Sequence, residues 1–149
     1  MTPPGSGEQP LDTSPPPIGR AATAPDALAP DGSEIRLLAD ARQGATRASL
    51  CEVRLAPGAI SRPVAHRTVE EIWYVASGHG DVWRCAPGSV ADPVHVGAGD
   101  TIVIPVGWRF QFRAAPECAL AFLCYTTPPW PGPQEAQPAG AGPLGPPTV

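Results

Sequence analysis

Two side chains near the middle of the chain have the types and the spacing that acid–base chemistry requires. His66 is followed five positions later by Glu71, and both lie in a stretch rich in Val, Ile and aromatic residues. An imidazole beside a carboxylate in an apolar pocket can act as a general acid–base pair, because burial tunes the pKa values and the carboxylate orients the ring. The same pair can instead be purely structural, since each group satisfies the hydrogen-bonding capacity of the other.

The residues around this pair predict short β-strands. Segments rich in Val, Ile, Leu and aromatic residues recur every eight to twelve residues between positions 31 and 127, and each ends at Gly, Pro or Asp. This spacing is typical of an all-β sandwich or barrel. The longest helical candidate, Asp40–Ala48, is weakened by Gly44. Ile72–Val75 is apolar on both faces, which favours a central strand covered on both sides.

Proline marks the limits of the predicted domain. Of the 22 prolines, eight lie in residues 1–30 and eight in residues 128–149. These segments are poor in large apolar side chains and offer little burial to offset the entropy of ordering. We therefore expect a disordered tail over 1–30, one barrel domain over 31–132 and a second disordered tail over 133–149. Trp130, enclosed by prolines, is expected to pack on the barrel or on a second subunit. The alternative is an unattached residue of a linker.

Charge and hydropathy exclude several function classes. The chain carries ten Arg, no Lys and fourteen acidic residues, for a net charge of −4. The absence of a basic stripe argues against a nucleic-acid partner. The longest apolar run, Cys118–Cys124, is far shorter than the roughly 20 residues that span a bilayer, which argues against a membrane partner. With no secretory signal and no Cys-x-x-Cys pair, the sequence predicts a cytoplasmic protein whose four cysteines are reduced, mostly buried thiols.

The spacing around His66 and Glu71 resembles the first motif of the cupin superfamily. That motif reads Gly, five residues, His-x-His, three or four residues, Glu, six residues, Gly, and here Gly58, Val64-Ala65-His66, Glu71 and Gly78 stand at those positions. The second cupin motif reads Gly, five residues, Pro-x-Gly, two residues, His, three residues, Asn. Gly99, Pro105 and Gly107 match it, whereas Phe110 and Ala114 stand in place of the His and the Asn.

The resemblance, which extends over about 35–126, implies a cupin double-stranded β-helix, a jelly-roll barrel like those of many small stand-alone bacterial cupins. It also implies a homodimer. Many cupins bind a metal through three His and one carboxylate, and position by position this leaves His66 and Glu71 as candidate ligands for Fe, Mn, Ni or Zn. Val64 and Phe110 occupy the other two ligand positions. Two protein ligands fall short of the three that catalytic metal sites normally use.

Strand alternation indicates which side chains line the barrel. It places Arg62 and Val64 on the face of His66, Trp73 on the face of Glu71, and Phe110 on the inner face of its strand; Trp83 is a further candidate. These residues predict an aromatic-walled site for a small, partly apolar organic molecule, with Arg62 able to clamp a carboxylate.

Three functions stay open at this point. The first is a small-molecule-binding cupin with acid–base chemistry at His66 and Glu71. The second is a metal-dependent oxygenase, isomerase or lyase, and the third is a non-catalytic sensor or accessory protein. His79, directly after the Gly78 turn, is placed at the barrel rim, either turned inward or in water.

Overall fold

The computed structural model of the protein describes residues 5, 7 and 10–149. Its strands are β1 (Ala27–Leu28), β2 (Glu34–Ala39), β3 (Ser49–Leu55), β4 (Val64–His66), β5 (Glu70–Ser77), β6 (His79–Cys85), β7 (Val94–Gly97), β8 (Thr101–Ile104), β9 (Arg109–Ala114), β10 (Leu120–Thr127) and β11 (Ala136–Pro138). Short 3-10 turns at Ala41–Gln43 and Pro133–Glu135 are the helical elements in the described residues, and no helix there is long and apolar enough to cross a membrane.

The strands form two antiparallel sheets that face each other across one core. The six-stranded sheet has the order β1-β2-β3-β10-β5-β8, and the five-stranded sheet has the order β11-β4-β9-β6-β7. Neighbours in these sheets are often distant in sequence, as β4 and β9 are, which is the connectivity of a jelly roll. The predicted all-β jelly-roll barrel is therefore confirmed.

Alternation along β5 shows how the sequence builds the barrel wall. Glu71, Trp73 and Val75 point inward and are buried, whereas Ile72 and Tyr74 are 40% and 49% exposed. The prediction that this strand is covered on both faces is thus wrong, because its outer face stays open. An exposed apolar residue of β5 pairs instead with an apolar residue of the neighbouring strand, since Ile72 lies opposite Val103 of β8.

Four aromatic rings fill the centre of the barrel. Trp73 stacks on Phe122 with centroids 4.1 Å apart, and meets Phe110 and Phe112 edge-on at 5.5 and 5.3 Å. All four are almost completely buried. Offset-stacked and edge-to-face contacts of this kind add to the free energy gained by burying the rings, so this cluster makes the interior a packed core.

The C-terminal segment departs from the disordered tail predicted over 133–149. Strand β11 pairs with β4, and Leu144 is buried against Trp83 and Cys85 on the outer side of the five-stranded sheet. The Gln111 side chain donates to the Gly145 carbonyl and accepts from the Leu144 N–H, so backbone groups attach the segment to the sheet. The composition did not predict this contact, because the segment is attached by one leucine and a few hydrogen bonds and has no repeating apolar pattern.

The N-terminal tail predicted over 1–30 is also in contact with the barrel along part of its length. Residues 27–28 pair with β2, and Arg36 of β2 donates to the carbonyls of Ala22 and Thr23. Residues 1–4, 6, 8 and 9 lie outside the described part of the chain.

Candidate functional site

Strand β4 holds His66 on the inner face of the five-stranded sheet. β4 lies between β9 and β11, and Val64 and His66 point inward, with Val64 opposite Phe110 of β9. The Gly107 N–H donates to the His66 carbonyl at 3.0 Å, which fixes the end of the strand. The imidazole points into the core and is buried, with 5% of the residue exposed.

Strand β5 brings Glu71 against this ring. Glu71 Oε1 lies 3.0 Å from His66 Nδ1, and Glu71 is 6% exposed. The two atoms are close, but the contact is not aligned as a hydrogen bond, and Nδ1 is the one buried side-chain polar atom in the described residues without a partner. A buried polar atom without a partner carries an uncompensated desolvation cost. A small rotation of the ring that aligned Nδ1 with Glu71 Oε1 would remove this cost.

The other oxygen of Glu71 is fully engaged by neighbouring side chains. Oε2 accepts a hydrogen bond from Trp73 Nε1 at 2.8 Å and one from the Cys124 thiol. Burial raises the pKa of Cys124 well above its ordinary value, and the neighbouring Cys51 and Glu71 raise it further, so the thiol keeps the proton it donates. These two donors hold the carboxylate in the orientation that faces His66.

Two aromatic rings enclose the imidazole. The Phe110 and Trp130 rings both meet His66 edge-on with centroids 5.1 Å apart. Trp130 follows β10, and its backbone N–H donates to Ser49 Oγ at 3.0 Å. Of the placements predicted for Trp130, this chain therefore shows packing on its own barrel, directly over His66.

Two further carboxyl groups near His66 escaped the sequence analysis. Glu135 is buried and accepts hydrogen bonds from the Thr68 hydroxyl and from the N–H groups of Thr68 and Val69. Burial alone would raise the pKa of Glu135, but these donors and the nearby His66 bring it below its ordinary value.

Asp31 is the second of these groups. Burial raises the pKa of its carboxyl, against the hydrogen bonds from Ser33, and the charges of Glu71 and His66 also act on it. The Asp31-Gly32 turn was a weak signal for a positioned carboxylate, and Glu135 gave none because it lies in the segment predicted to be disordered.

Two predicted ligand-binding residues lie away from the site. Arg62 precedes β4, is exposed, and donates from Nε to the Val149 carbonyl at 2.9 Å. The regular alternation of inward and outward side chains begins only at Val64. The prediction that Arg62 lies on the same face as His66 is therefore wrong. Trp83 is buried on the outer face of β6, where its indole N–H donates to the Ala91 carbonyl, since Val82 takes the inner position. Val64, Trp73 and Phe110 do lie on the inner face with His66 and Glu71.

The side chains at this site do not fit the metal centre that the cupin motif implies. Val64 and Phe110, at two of the four ligand positions, are buried apolar residues in the core. Glu71 already binds Trp73 and Cys124 through one oxygen and faces His66 with the other. Two donors that face each other beside an aromatic wall do not form the three-ligand set of a catalytic divalent metal.

Two adjoining cavities lie elsewhere, between β6, β7 and β8. Their volumes are about 310 and 490 Å³, and both are lined by Val82, Arg84 and Val94. Neither is lined by His66 or Glu71. The Trp130 ring, packed edge-on against the imidazole, is the aromatic side chain from outside the barrel strands that covers His66.

Comparisons with known proteins agree with this fold. The family model described as Cupin matches residues 21–134. The polyketide cyclase RemF from Streptomyces resistomycificus is 24% identical, with 84% of this chain and 82% of that chain covered and a TM-score of 0.62. Pac13, a nucleoside dehydratase of Streptomyces, is 15% identical, with 82% and 85% covered and a TM-score of 0.58.

A third similar structure is the cupin domain of Schizosaccharomyces pombe Cnp3, at 10% identity and a TM-score of 0.55. The chain spans 64% of that domain, and 64% of this chain is covered. A search of curated proteins finds no match. Identities this low carry the fold alone, but the family model covers well over half of the sequence and includes both Gly/Pro motifs, so the chain belongs to the cupin family.

Proposed function

We propose that this cupin binds a small, partly apolar organic molecule at His66 and uses His66 as a general acid–base, with Glu71 as the orienting carboxylate. The observation that carries the proposal is the geometry of the pair: Nδ1 lies 3.0 Å from a carboxylate that two other donors hold in place. This leaves Nε2, on the other side of the ring, as the nitrogen available to a ligand.

The charges around the imidazole favour a neutral ligand. Asp31, Glu71 and Glu135 are the carboxyl groups whose charges act in this region, and Arg62, the residue expected to clamp a carboxylate, is bound to Val149 instead. An anionic ligand would be repelled by these groups, and Arg62 does not offset their charge. Phe110 and Trp130 supply the apolar surface that an aromatic or otherwise unsaturated ligand would contact.

Proton transfer within such a ligand is the chemistry that this pair supports. His66 Nε2 would remove a proton from a carbon next to a carbonyl group and return it to a departing hydroxyl group, which leaves as water. Ring closure and dehydration both need such transfers, and the names of RemF and Pac13 place a cyclase and a dehydratase among the similar folds. General acid–base catalysis of this kind contributes about 10²–10⁴-fold to a rate.

A pair of matched ligands tests the binding half of the proposal. We expect a naphthol to raise the melting temperature of the protein and the corresponding naphthoate to have little effect, because only the naphthoate is an anion. The shift should be lost in His66→Ala, while the exposed-site control His79→Ala keeps it. A stronger shift with naphthoate, or an unchanged shift in His66→Ala, would contradict the proposed site.

The same variants separate the alternatives. If Glu71→Gln binds the naphthol normally and no neutral hydroxylated ligand is turned over by the wild type, the protein is a non-catalytic binding protein. Stoichiometric Fe, Mn, Ni or Zn that disappears in His66→Ala would overturn the metal-free interpretation in favour of a metal-dependent enzyme. The homodimer implied by the family resemblance stays a prediction, which light scattering of the purified protein tests directly.

A further inference from the structure

A second group of chemically active side chains lies at the rim of the barrel, outside the His66 site. His79 begins β6, and Glu117 and Cys118 lie in the turn between β9 and β10. One potential ligand atom from each of the three lies within 4.8 Å of the others. An imidazole nitrogen, a carboxylate oxygen and a thiolate sulfur are donors that Zn²⁺ and similar borderline-soft divalent cations accept together.

The backbone holds the two turns against each other. The Ala115 N–H donates to the His79 carbonyl at 3.0 Å. Gly78 has φ +75°, and a Cβ there would lie 1.9 Å from the Ala119 carbonyl oxygen, so only glycine allows this approach. Fixed contacts on both sides of Glu117 and Cys118 therefore keep them beside His79.

His79 is also the first member of a chain of side-chain contacts. Its Nδ1 lies 3.1 Å from His95 Nε2, and His95 Nδ1 lies 3.1 Å from Asp81 Oδ1. Asp81 in turn accepts from Arg113 at 2.7 Å. The strand register explains the geometry, because Asp81 of β6 lies directly opposite His95 of β7. The other ring nitrogen of His79, Nε2, contacts Glu117.

The number of N–H donors in this chain of contacts can be compared with the number of contacts they must make. The contacts from Glu117 through His79 and His95 to Asp81 number three, and two neutral imidazoles supply one N–H each. A positive charge at Nε2, supplied either by a proton or by a bound metal ion, resolves this shortfall. His79 then donates from Nδ1 to His95, and His95 donates from Nδ1 to Asp81, so every nitrogen has a partner.

We propose that His79 Nε2, Glu117 and Cys118 form a binding site for a zinc-type divalent cation. His95 and Asp81 are positioning residues that orient His79, in the way that outer-shell carboxylates orient metal-binding histidines. Glu117 and His79 have side chains 64% and 39% exposed, so water can complete a tetrahedral set. Bond lengths of about 2.0–2.3 Å place tetrahedral ligand atoms roughly 3.5 Å apart. Side-chain adjustments of about 1 Å would therefore admit the ion, with His79 Nε2 and Glu117 Oε1 moving apart from 2.5 Å.

Cobalt(II) titration of the full-length reduced protein tests this site. We expect one Co²⁺ per chain with a near-ultraviolet thiolate-to-cobalt band, displaced by Zn²⁺. Cys118→Ser should abolish the thiolate band, and His79→Ala should abolish tight binding. His95→Ala and Asp81→Asn should keep the band but weaken affinity about 10–100-fold, as outer-shell variants do.

The controls separate this site from the proposed function. Cys51→Ser removes a half-buried thiol elsewhere and should leave cobalt binding unchanged, as should His66→Ala. A thiolate band that survives Cys118→Ser, cobalt binding lost in His66→Ala, or no binding by the folded wild type would each overturn the rim site. Naphthol binding at His66 is measured separately and does not depend on any of these results.

Discussion

The two histidine sites of this barrel place the same chemical pair, an imidazole beside a carboxylate, in opposite environments. At the first, His66 and Glu71 lie inside the barrel, and every contact of the carboxylate comes from a buried side chain. At the second, His79 lies at the start of β6 and Glu117 in the turn between β9 and β10, and both side chains are exposed. Burial therefore fixes the first pair within the fold, whereas the second is free to exchange its partners with solvent.

The comparison teaches what each pair can do. A buried pair gains strong electrostatic coupling and a specific orientation, which suits proton transfer on a ligand that excludes water. A rim pair with a thiol nearby has room for an ion and its water but little pre-organised apolar surface. Changes in the interior should therefore cost much more stability than changes at the rim.

Trp73→Ala is the largest expected effect and tests this difference directly. Trp73 stacks on Phe122 and donates to Glu71, so its loss leaves a cavity and a carboxylate without one donor. We expect the free energy of unfolding to fall by about 3–5 kcal/mol, as for other buried aromatic residues. At the rim, His95→Ala should change it by no more than about 0.5 kcal/mol. Urea unfolding of both variants provides the measurement, and equal losses would break the comparison.

Glu135→Ala sharpens the comparison through its dependence on pH. Glu135 accepts N–H donors from Thr68 and Val69, and its folded-state pKa lies below the usual 4.5. A lowered pKa stabilises the fold at pH values above 4.5, and this stabilisation is lost as the pH falls through the folded-state pKa. We expect the variant to be less stable by about 1–3 kcal/mol at neutral pH.

The difference between Glu135→Ala and the wild type should shrink progressively in acid. Urea unfolding at neutral and acidic pH measures it, and Glu70→Ala is the matched control because Glu70 is exposed. A gap that stays constant into acid, or that the control reproduces, would show that Glu135 contributes no charge-dependent stability.

The fold and the buried pair were predictable because the glycine and proline framework resembles the two cupin motifs, and that resemblance implies the turns and the strand register. Once Gly58, Gly78, Gly99 and Pro105 are in place, the alternation of β5 follows from the sequence. It correctly puts Glu71 and Trp73 inside. The inward position of His66 follows from β4 in the same way.

The rest required three-dimensional information. Alternation failed at Arg62 because the regular strand begins only at Val64, and it gave no means of choosing between Val82 and Trp83 for the inner face. The contact between Glu135 and the loop after β4 depends on a C-terminal segment without an apolar pattern. Residues of the rim site come from the start of β6 and from the distant turn between β9 and β10, so no local motif reveals them.

Trp130→Ala should cost less stability than Trp73→Ala or Glu135→Ala. It tests whether one ring keeps His66 apart from solvent while His79 is open. The half-buried Trp130 meets His66 edge-on, and such an aromatic contact contributes about 0.5–1.5 kcal/mol. Diethyl pyrocarbonate modification, followed residue by residue with mass spectrometry, gives both histidines in one experiment. In the wild type we expect His79 to react before His66, because the His66 ring is buried.

In Trp130→Ala the rate at His66 should rise while the rate at His79 stays constant, so His79 serves as an internal control. If His66 already reacts as fast as His79 in the wild type, the buried and exposed sites do not differ in access, and the proposal that Trp130 covers the ligand site fails with it.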